Sequence, residues 1–410
     1  MNHKVYNGDN IDFLNTLNED DTNKNSVDFC YIDPPYNTGN TKNFVYRDNF
    51  RKDDARTKHQ VWLDWIEKRL VKTVPLLKPT GVIAVSIDDK EVHHLRLLMD
   101  KVFGEDNFIA QVIVDGGNMK NNAKLISVSH EYLLVYGKSV SALTKAKTVW
   151  RQEREGLAAV RRKEKQLRKK HKEDYATISA EMKEWLKGAK VPKRLRLFHN
   201  ADAKGLYTYA DLSAPGAGAR YDVLHPESWK PVMVPSRGWG LTEEKMQALI
   251  TDDMIIFGAG PDGHLRQPFK KLYLKDGKDQ VIRSIMSYPS RTSTHLLEQI
   301  LGERGLFNNP KNLDFMKFLV DTMCPEDGVV LDYFAGSGST GHAVLDLNED
   351  SALSERVFIL CTNNENGIHD RVTKPRLDAV VSGKWLNGKV YPAKTDASIE
   401  YITLEESKNV

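Results

Sequence analysis

The sequence predicts an α/β protein: a mostly parallel sheet with helices on both faces, divided by an inserted region of different character. Three observations predict it. Residues 1–140 alternate short apolar runs with segments of helical periodicity, as chained βα units do. The alternation returns from residue 291 to the end, with a glycine-rich turn between a strand and a helix. Between them, residues 141–290 carry first dense charge, then Gly, Pro and aromatic residues that suit short strands and loops.

The elements follow in order. Residues 27–32 (VDFCYI) form an apolar strand that stops at Asp33-Pro34-Pro35-Tyr36. Leu63, Ile66, Leu70 and Val74 give residues 61–77 a helical period, ended by Pro79 and Gly81. Residues 81–87 read as a second strand, 91–103 as a helix and 131–136 as a third strand. In the middle, Leu157, Val160, Leu167, Ile178, Met182 and Trp185 recur at helical spacing among charges, predicting a long, thin, exposed helical arm. Later come a helix over 312–323, a strand over 328–332, the glycine turn with its helix, and a strand over 357–360.

Composition narrows the class. The chain has 410 residues, 28% charged and 40% hydrophobic, enough for two or three ordinary globular domains. No apolar run approaches the roughly 18 residues of a membrane helix, and the N-terminus has no signal-peptide core. Cys30, Cys324 and Cys361 stand far apart with no CxxC pair, so neither a zinc knuckle nor a disulfide framework is expected, and no metal site. A cytoplasmic protein with no membrane partner is the expectation. The net charge of +3 hides an asymmetry: residues 151–200 carry 16 Lys and Arg against 7 Asp and Glu. That block is a candidate polyanion contact, or else a solvated helix face.

Two motifs carry chemistry. Phe334-Ala335-Gly336-Ser337-Gly338-Ser339-Thr340-Gly341 follows a strand and opens a helix. Its glycines let the backbone approach a ligand at the helix N-terminus. The spacing mimics both the dinucleotide fingerprint and the P-loop, but His342-Ala343 stands where a P-loop needs Lys and Ser or Thr. Asp33-Pro34-Pro35-Tyr36 also sits at a strand's carboxyl end. An exocyclic amine on an aromatic base is a weak nucleophile. It needs acceptors for its two N–H groups, which the Asp33 side chain and the Pro34 carbonyl can supply. Consecutive prolines stiffen that backbone, and Tyr36 offers a ring for an extruded base. A methyl donor beside an exocyclic amine accounts for both motifs.

These motifs, together with Gly8-Asp9-Asn10, Val85-Ser86-Ile87-Asp88-Asp89, Ser129-His130-Glu131-Tyr132 and Phe307-Asn308-Asn309-Pro310-Lys311, resemble the β-group of amino-methyltransferases, especially the modification subunits of Type III restriction systems. The resemblance implies a Rossmann-like S-adenosylmethionine-dependent methyltransferase fold with an inserted target-recognition domain at 141–290. It implies methyl transfer to N6 of a flipped adenine in double-stranded DNA, with cytosine N4 as the near alternative. Asp33, Pro34, Pro35 and Tyr36 take the catalytic role. The cofactor set is Asp9, Asn10, Lys311, Asp332, Phe334, Ala335, Gly336, Gly338, Thr340 and Glu365. Lys42 and Arg47, in a lid expected over 37–50, and Arg237 and Trp239 are the DNA-binding candidates. His130 reads as a structural, hydrogen-bonded residue. Type III modification subunits are usually longer, and no helicase-type ATP motif is present, so restriction would need another chain; a homodimer and a stand-alone enzyme remain open. Two other classes compete: a nicotinamide-dependent oxidoreductase, which leaves Asp33–Tyr36 unexplained, and a non-catalytic DNA-binding subunit, against which the intact motif counts.

Overall fold

The computed structural model describes all residues except 1, 40–47, 49, 51–55, 118–124, 259–264, 276, 290, 352–353, 394–396 and 406–410. Lys42 and Arg47, and most of the expected lid, lie outside the described residues. The chain divides into two compact units: residues 1–150 with 282–410, and residues 151–281. The sequence expectation put these boundaries about ten residues further out. They move inward because helix 140–145 packs on neighbouring strands of the first unit and strand 285–287 pairs with its sheet.

The first unit begins with β1 (Asn2–Asn7), α1 (Asn10–Glu19), β2 (Val27–Ile32), α2 (Lys58–Thr73), β3 (Leu77–Ile87), α3 (Val92–Phe103), β4 (Phe108–Asp115), β5 (His130–Gly137) and α4 (Val140–Lys145). Local sequence sets the helix starts. The Asp9 carboxylate caps α1 by accepting from the Ile11 amide, and Thr57 and Gln60 form a reciprocal capping box on α2.

The second unit holds β6 (Arg151–Glu153), α5 (Leu157–His171), α6 (Tyr175–Gly188), β7 (Asn200–Asp202), β8 (Gly205–Ala210), α7 (Glu243–Thr251), β9 (Ile255–Ile256), β10 (Phe269–Tyr273) and β11 (Lys278–Val281). The expected single arm is two packed helices. The chain turns at Lys172 (φ 54°), and Asp174 caps a fresh start. The apolar stripe is therefore not exposed: Leu157, Val160, Leu167, Ile178 and Met182 share a core with Leu206 of β8.

The first unit resumes with β12 (Ile285–Ser287), α8 (Arg291–Leu301), α9 (Leu313–Met323), β13 (Val329–Asp332), α10 (Ser339–Asp350), β14 (Val357–Thr362), α11 (Lys374–Ser382) and β15 (Ser398–Thr403). Its nine-stranded sheet has the order β12-β4-β5-β3-β2-β13-β14-β1-β15. Every pairing is parallel except those of β5, which runs antiparallel to both β3 and β4. Side-chain alternation along the strands builds two cores. Cys30, Ile32, Ile83, Val85 and Leu331 face α1, α2 and α3; Phe29, Tyr31, Val82, Ala84 and Val330 face α9, α10 and α11. Helices thus cover both faces, which makes this a Rossmann-like α/β fold.

Candidate active site

Strands β2 and β13 are neighbours, with Leu331 paired to Cys30, although about 300 residues separate them in sequence. From β2 the chain crosses to β3 on one side; from β13 it crosses to β14 on the other. Such a switch point leaves a crevice beyond the strands' carboxyl ends. A cavity of about 450 Å³ occurs there, within the range of small-molecule sites. Its wall takes Asp33 and Pro35 from the end of β2, and Asp332, Phe334, Ala335 and Gly336 from the end of β13. Asp9, Asn10, Lys311, Thr340 and Glu365 complete the expected set on that wall. Pro34 is buried and Tyr36 half-buried beside it, and Gly338 (φ 74°) caps α10 behind it.

One end of the cavity is a cluster of ionisable side chains. The Tyr36 hydroxyl donates to Asp33 Oδ1 at 2.6 Å and lies 3.1 Å from Glu131 Oε2. Lys311 Nζ reaches Asp33 Oδ1 at 3.0 Å, Glu131 Oε2 at 2.9 Å and the Tyr36 oxygen at 2.9 Å. Burial pushes the Asp33 carboxyl above its ordinary value; the Lys311 ammonium pulls it back down and Glu131 pushes it further up. Burial opposes the Lys311 charge, yet Asp33 and Glu131 hold its pKa above the ordinary lysine value. The turn itself is anchored, since the buried Trp62 donates its indole N–H to the Pro35 carbonyl at 2.8 Å.

The other end is made of backbone and aromatic rings. Gly336 has φ 48°, where side chains are strained, and a Cβ there would stand 3.2 Å from the Phe307 ring. Thr373 ties the Gly336 carbonyl at 2.6 Å. Arg376, almost fully buried, donates to the Ser337 carbonyl at 3.1 Å and to Ser339 Oγ at 2.8 Å, bracing the turn from behind. Trp65 and Phe334 stand 5.6 Å apart, with Arg69 over the Trp65 ring. Arg69 also donates to Asn10 Oδ1 at 2.6 Å, and Asn10 donates to the Tyr333 carbonyl at 3.1 Å, fixing the start of α1 to the end of β13. Asp332 accepts from Thr340 Oγ1 at 2.5 Å and from the Phe334 amide at 2.9 Å. Burial nevertheless pushes its carboxyl up to about 7.

Sequence reasoning did not single out Glu131, Trp65, Arg69 or Phe307 as site residues, although Glu131 and Phe307 stood inside quoted motifs. The signal for Glu131 is strand direction. Because β5 runs antiparallel, its first residues rather than its last lie at the carboxyl edge of β2 and β3. His130 hydrogen-bonds the Tyr132 hydroxyl at 3.0 Å, and Tyr132 donates to Asp89 at 2.8 Å. Trp239 is corrected: it is 1% exposed in the core of the second unit and donates its N–H to the Tyr221 carbonyl, so it presents no ring to DNA. Arg237 is exposed, with Nη2 3.3 Å from Ser213 Oγ.

Comparison with known proteins supplies the family. Residues 27–372 match the model of the family described as DNA methylase. The Type II methyltransferase M.KpnI of Klebsiella pneumoniae is 30% identical over 88% of this chain and 80% of its own length. The EcoP15I Mod subunit of a Type III restriction-modification enzyme of Escherichia coli is 29% identical over 93% of this chain. The StyLTI Mod subunit of Salmonella typhimurium is 30% identical over 90% of it. The chain spans only 60% and 53% of those two Mod subunits. A solved M1.HpyAVI–SAM complex shares 13% identity over 92% of this chain and 100% of its own, with a TM-score of 0.40, too weak a likeness to bear on function. The family match and the M.KpnI relative, with the two motifs meeting at one sheet edge, lead to one conclusion: the chain belongs to the DNA methylase family.

Proposed function

We propose that this protein transfers a methyl group from S-adenosylmethionine to N6 of an adenine flipped out of double-stranded DNA, acting in the cytoplasm. The observation that carries the reading is the meeting of Asp33 and the Phe334–Gly341 turn across one cavity. The cavity suits the cofactor: a Cβ at Gly336 would crowd the Phe307 ring, rings line one wall, and a buried carboxyl at Asp332 stands on the wall to meet a cation. Bound there, S-adenosylmethionine supplies a methyl group on a sulfonium, to which an amine lone pair can bond as the carbon–sulfur bond breaks.

The chain's own residues do the rest. Asp332, Phe334, Ala335, Gly336, Gly338 and Thr340 hold the amino-acid end of the cofactor, while Glu365, Asp9 and Asn10 serve its nucleoside end. Asp33, as carboxylate, and the Pro34 carbonyl accept the two N–H bonds of the base and draw the nitrogen lone pair out of the ring. Asp33 can take the proton that the methylated nitrogen sheds. The Lys311 ammonium now on Asp33 has to yield that oxygen to the base, and Glu131 is placed to retain it. Tyr36 offers a stacking face. Asp at the first motif position is the feature that the family resemblance links to adenine.

The second unit, with its basic helices and Arg237, is the region we assign to target recognition, through phosphate contacts that make binding salt-dependent. Two relatives are named Mod subunits, so a restriction chain is a candidate partner. The test is incubation of purified protein with unmethylated genomic DNA and isotope-labelled S-adenosylmethionine, then nucleoside mass spectrometry. Labelled N6-methyldeoxyadenosine is expected. Labelled N4-methyldeoxycytidine would change the base and keep the mechanism; no label, with cofactor binding shown separately, would overturn the activity.

A further inference from the structure

A second cluster of chemistry-bearing side chains lies outside the cavity, in the first unit. His59 stands in the first turn of α2, and Glu91 and His94 stand at and just beyond the start of α3. Their ligand atoms all lie within 4.8 Å of one another. His59 Nδ1 is 2.7 Å from Glu91 Oε1, and His94 Nδ1 is 3.3 Å from Glu91 Oε2. The two imidazoles stack at 4.6 Å. The Glu91 side chain is 0% exposed, and its Oε2 takes no hydrogen bond among the described residues. A buried carboxylate oxygen with no hydrogen bond, facing the His94 imidazole at 3.3 Å, is a place where a cation would relieve the cost of burial.

We propose that His59, Glu91 and His94 bind a divalent transition-metal ion of the zinc type. Two imidazoles and one carboxylate are a ligand set that suits this ion. Tetrahedral coordination at about 2.0–2.1 Å puts neighbouring ligand atoms about 3.3 Å apart; His94 Nδ1 and Glu91 Oε2 stand at that spacing, while His59 Nδ1, hydrogen-bonded to Glu91 Oε1 at 2.7 Å, has to release that bond to join them. The supporting hydrogen bond is already in place: Asn37 Nδ2 donates to Glu91 Oε1 at 2.7 Å, as metal-bound carboxylates require. Both imidazoles are partly exposed, at 32% and 44%, which leaves an entry path and a fourth position for water. Sequence spacing could not show this set, because His59 and Glu91 are brought together only by the packing of α2 on α3.

The ion would act on the acceptor motif at one remove. Asn37 follows Tyr36, is buried with φ 57°, and accepts from the Phe50 amide at 3.2 Å while it holds Glu91. A metal on Glu91 therefore fixes Asn37, the residue that follows Asp33–Tyr36. The ion is structural in this role, and the proposal does not depend on the methyl-transfer reading.

The test uses the tag-free full chain, stripped with a chelator, without cofactor or DNA. Titration with Co²⁺ should give tetrahedral visible bands that saturate at one equivalent per chain and vanish on adding Zn²⁺. Zn²⁺ should raise the melting temperature of the wild-type protein. H94A changes a partly exposed ligand on a helix surface, so it should fold; it should weaken binding by at least about 100-fold, since even a supporting hydrogen bond typically accounts for about 10- to 100-fold. The three cysteines are buried and give little competing background. Absence of the bands, or undiminished binding in H94A, overturns the proposal.

Discussion

The two ends of the cavity are built by opposite means. At the end of β2, four ionisable side chains, Asp33, Tyr36, Glu131 and Lys311, touch one another and set each other's charge. At the end of β13, shape dominates: a turn with two glycines at positive φ, braced by Thr373 and Arg376, faces a wall of rings. A proton-accepting site depends on which groups are charged, whereas a cofactor cradle depends on where backbone atoms can go. The two ends should therefore fail differently.

The largest effect expected is at Asp33. D33A should lower turnover by roughly 10³-fold or more, the scale of losing an oriented acceptor and base. Cofactor affinity, measured by calorimetry, should change only a few-fold. Equal loss of both would break the division between the ends. Next comes Gly336. In G336D, backbone strain of about 1–2 kcal/mol adds to displacement of the Phe307 ring, so cofactor affinity should fall about 10- to 100-fold. Melting of the cofactor-free protein checks that the fold survives.

The two ends were also unequally legible in sequence. Asp33–Tyr36 and Phe334–Gly341 were readable because each is continuous and each follows an apolar strand, so their placement at carboxyl strand ends needed only local pattern. Glu131 was not, because its place in the site depends on β5 running backwards, which is a property of the whole sheet. Strands β1, β4, β12 and β15 escaped for a related reason. Partly polar runs such as FIAQVIVD in β4 are strands because neighbours pair with them, not by strong intrinsic pattern. The helical arm was misjudged because periodicity marks an apolar stripe without naming what covers it; here α6 and β8 cover α5. Trp239 shows the same limit, since a Gly-Trp-Gly stretch reads equally as a surface ring or a core ring between tight turns.

Asp332 gives the cofactor end its own pH dependence. Burial holds its carboxyl near 7, so the cofactor-free protein carries it protonated below that pH. A bound cation favours the carboxylate, so binding expels a proton. Cofactor affinity should therefore fall as pH drops below about 7, by up to about 10-fold per unit for one coupled proton. D332N, which keeps an acceptor for the Phe334 amide, should flatten that dependence. A slope unchanged in D332N would move the titrating group elsewhere.

The finest test uses the partners of Asp33. Transfer needs Asp33 ionised, so the rate should climb with pH through its pKa, which burial has raised above the ordinary carboxyl value. Lys311 lowers that pKa and Glu131 raises it. K311M should thus move the rising limb of kcat to higher pH, and E131Q should move it to lower pH. A purely structural role for either residue would lower kcat at every pH and leave the limb where it was. Shifts in the same direction would mean that Lys311 and Glu131 act on something other than the Asp33 charge, and the acceptor end would then be a scaffold and not a tuned electrostatic site.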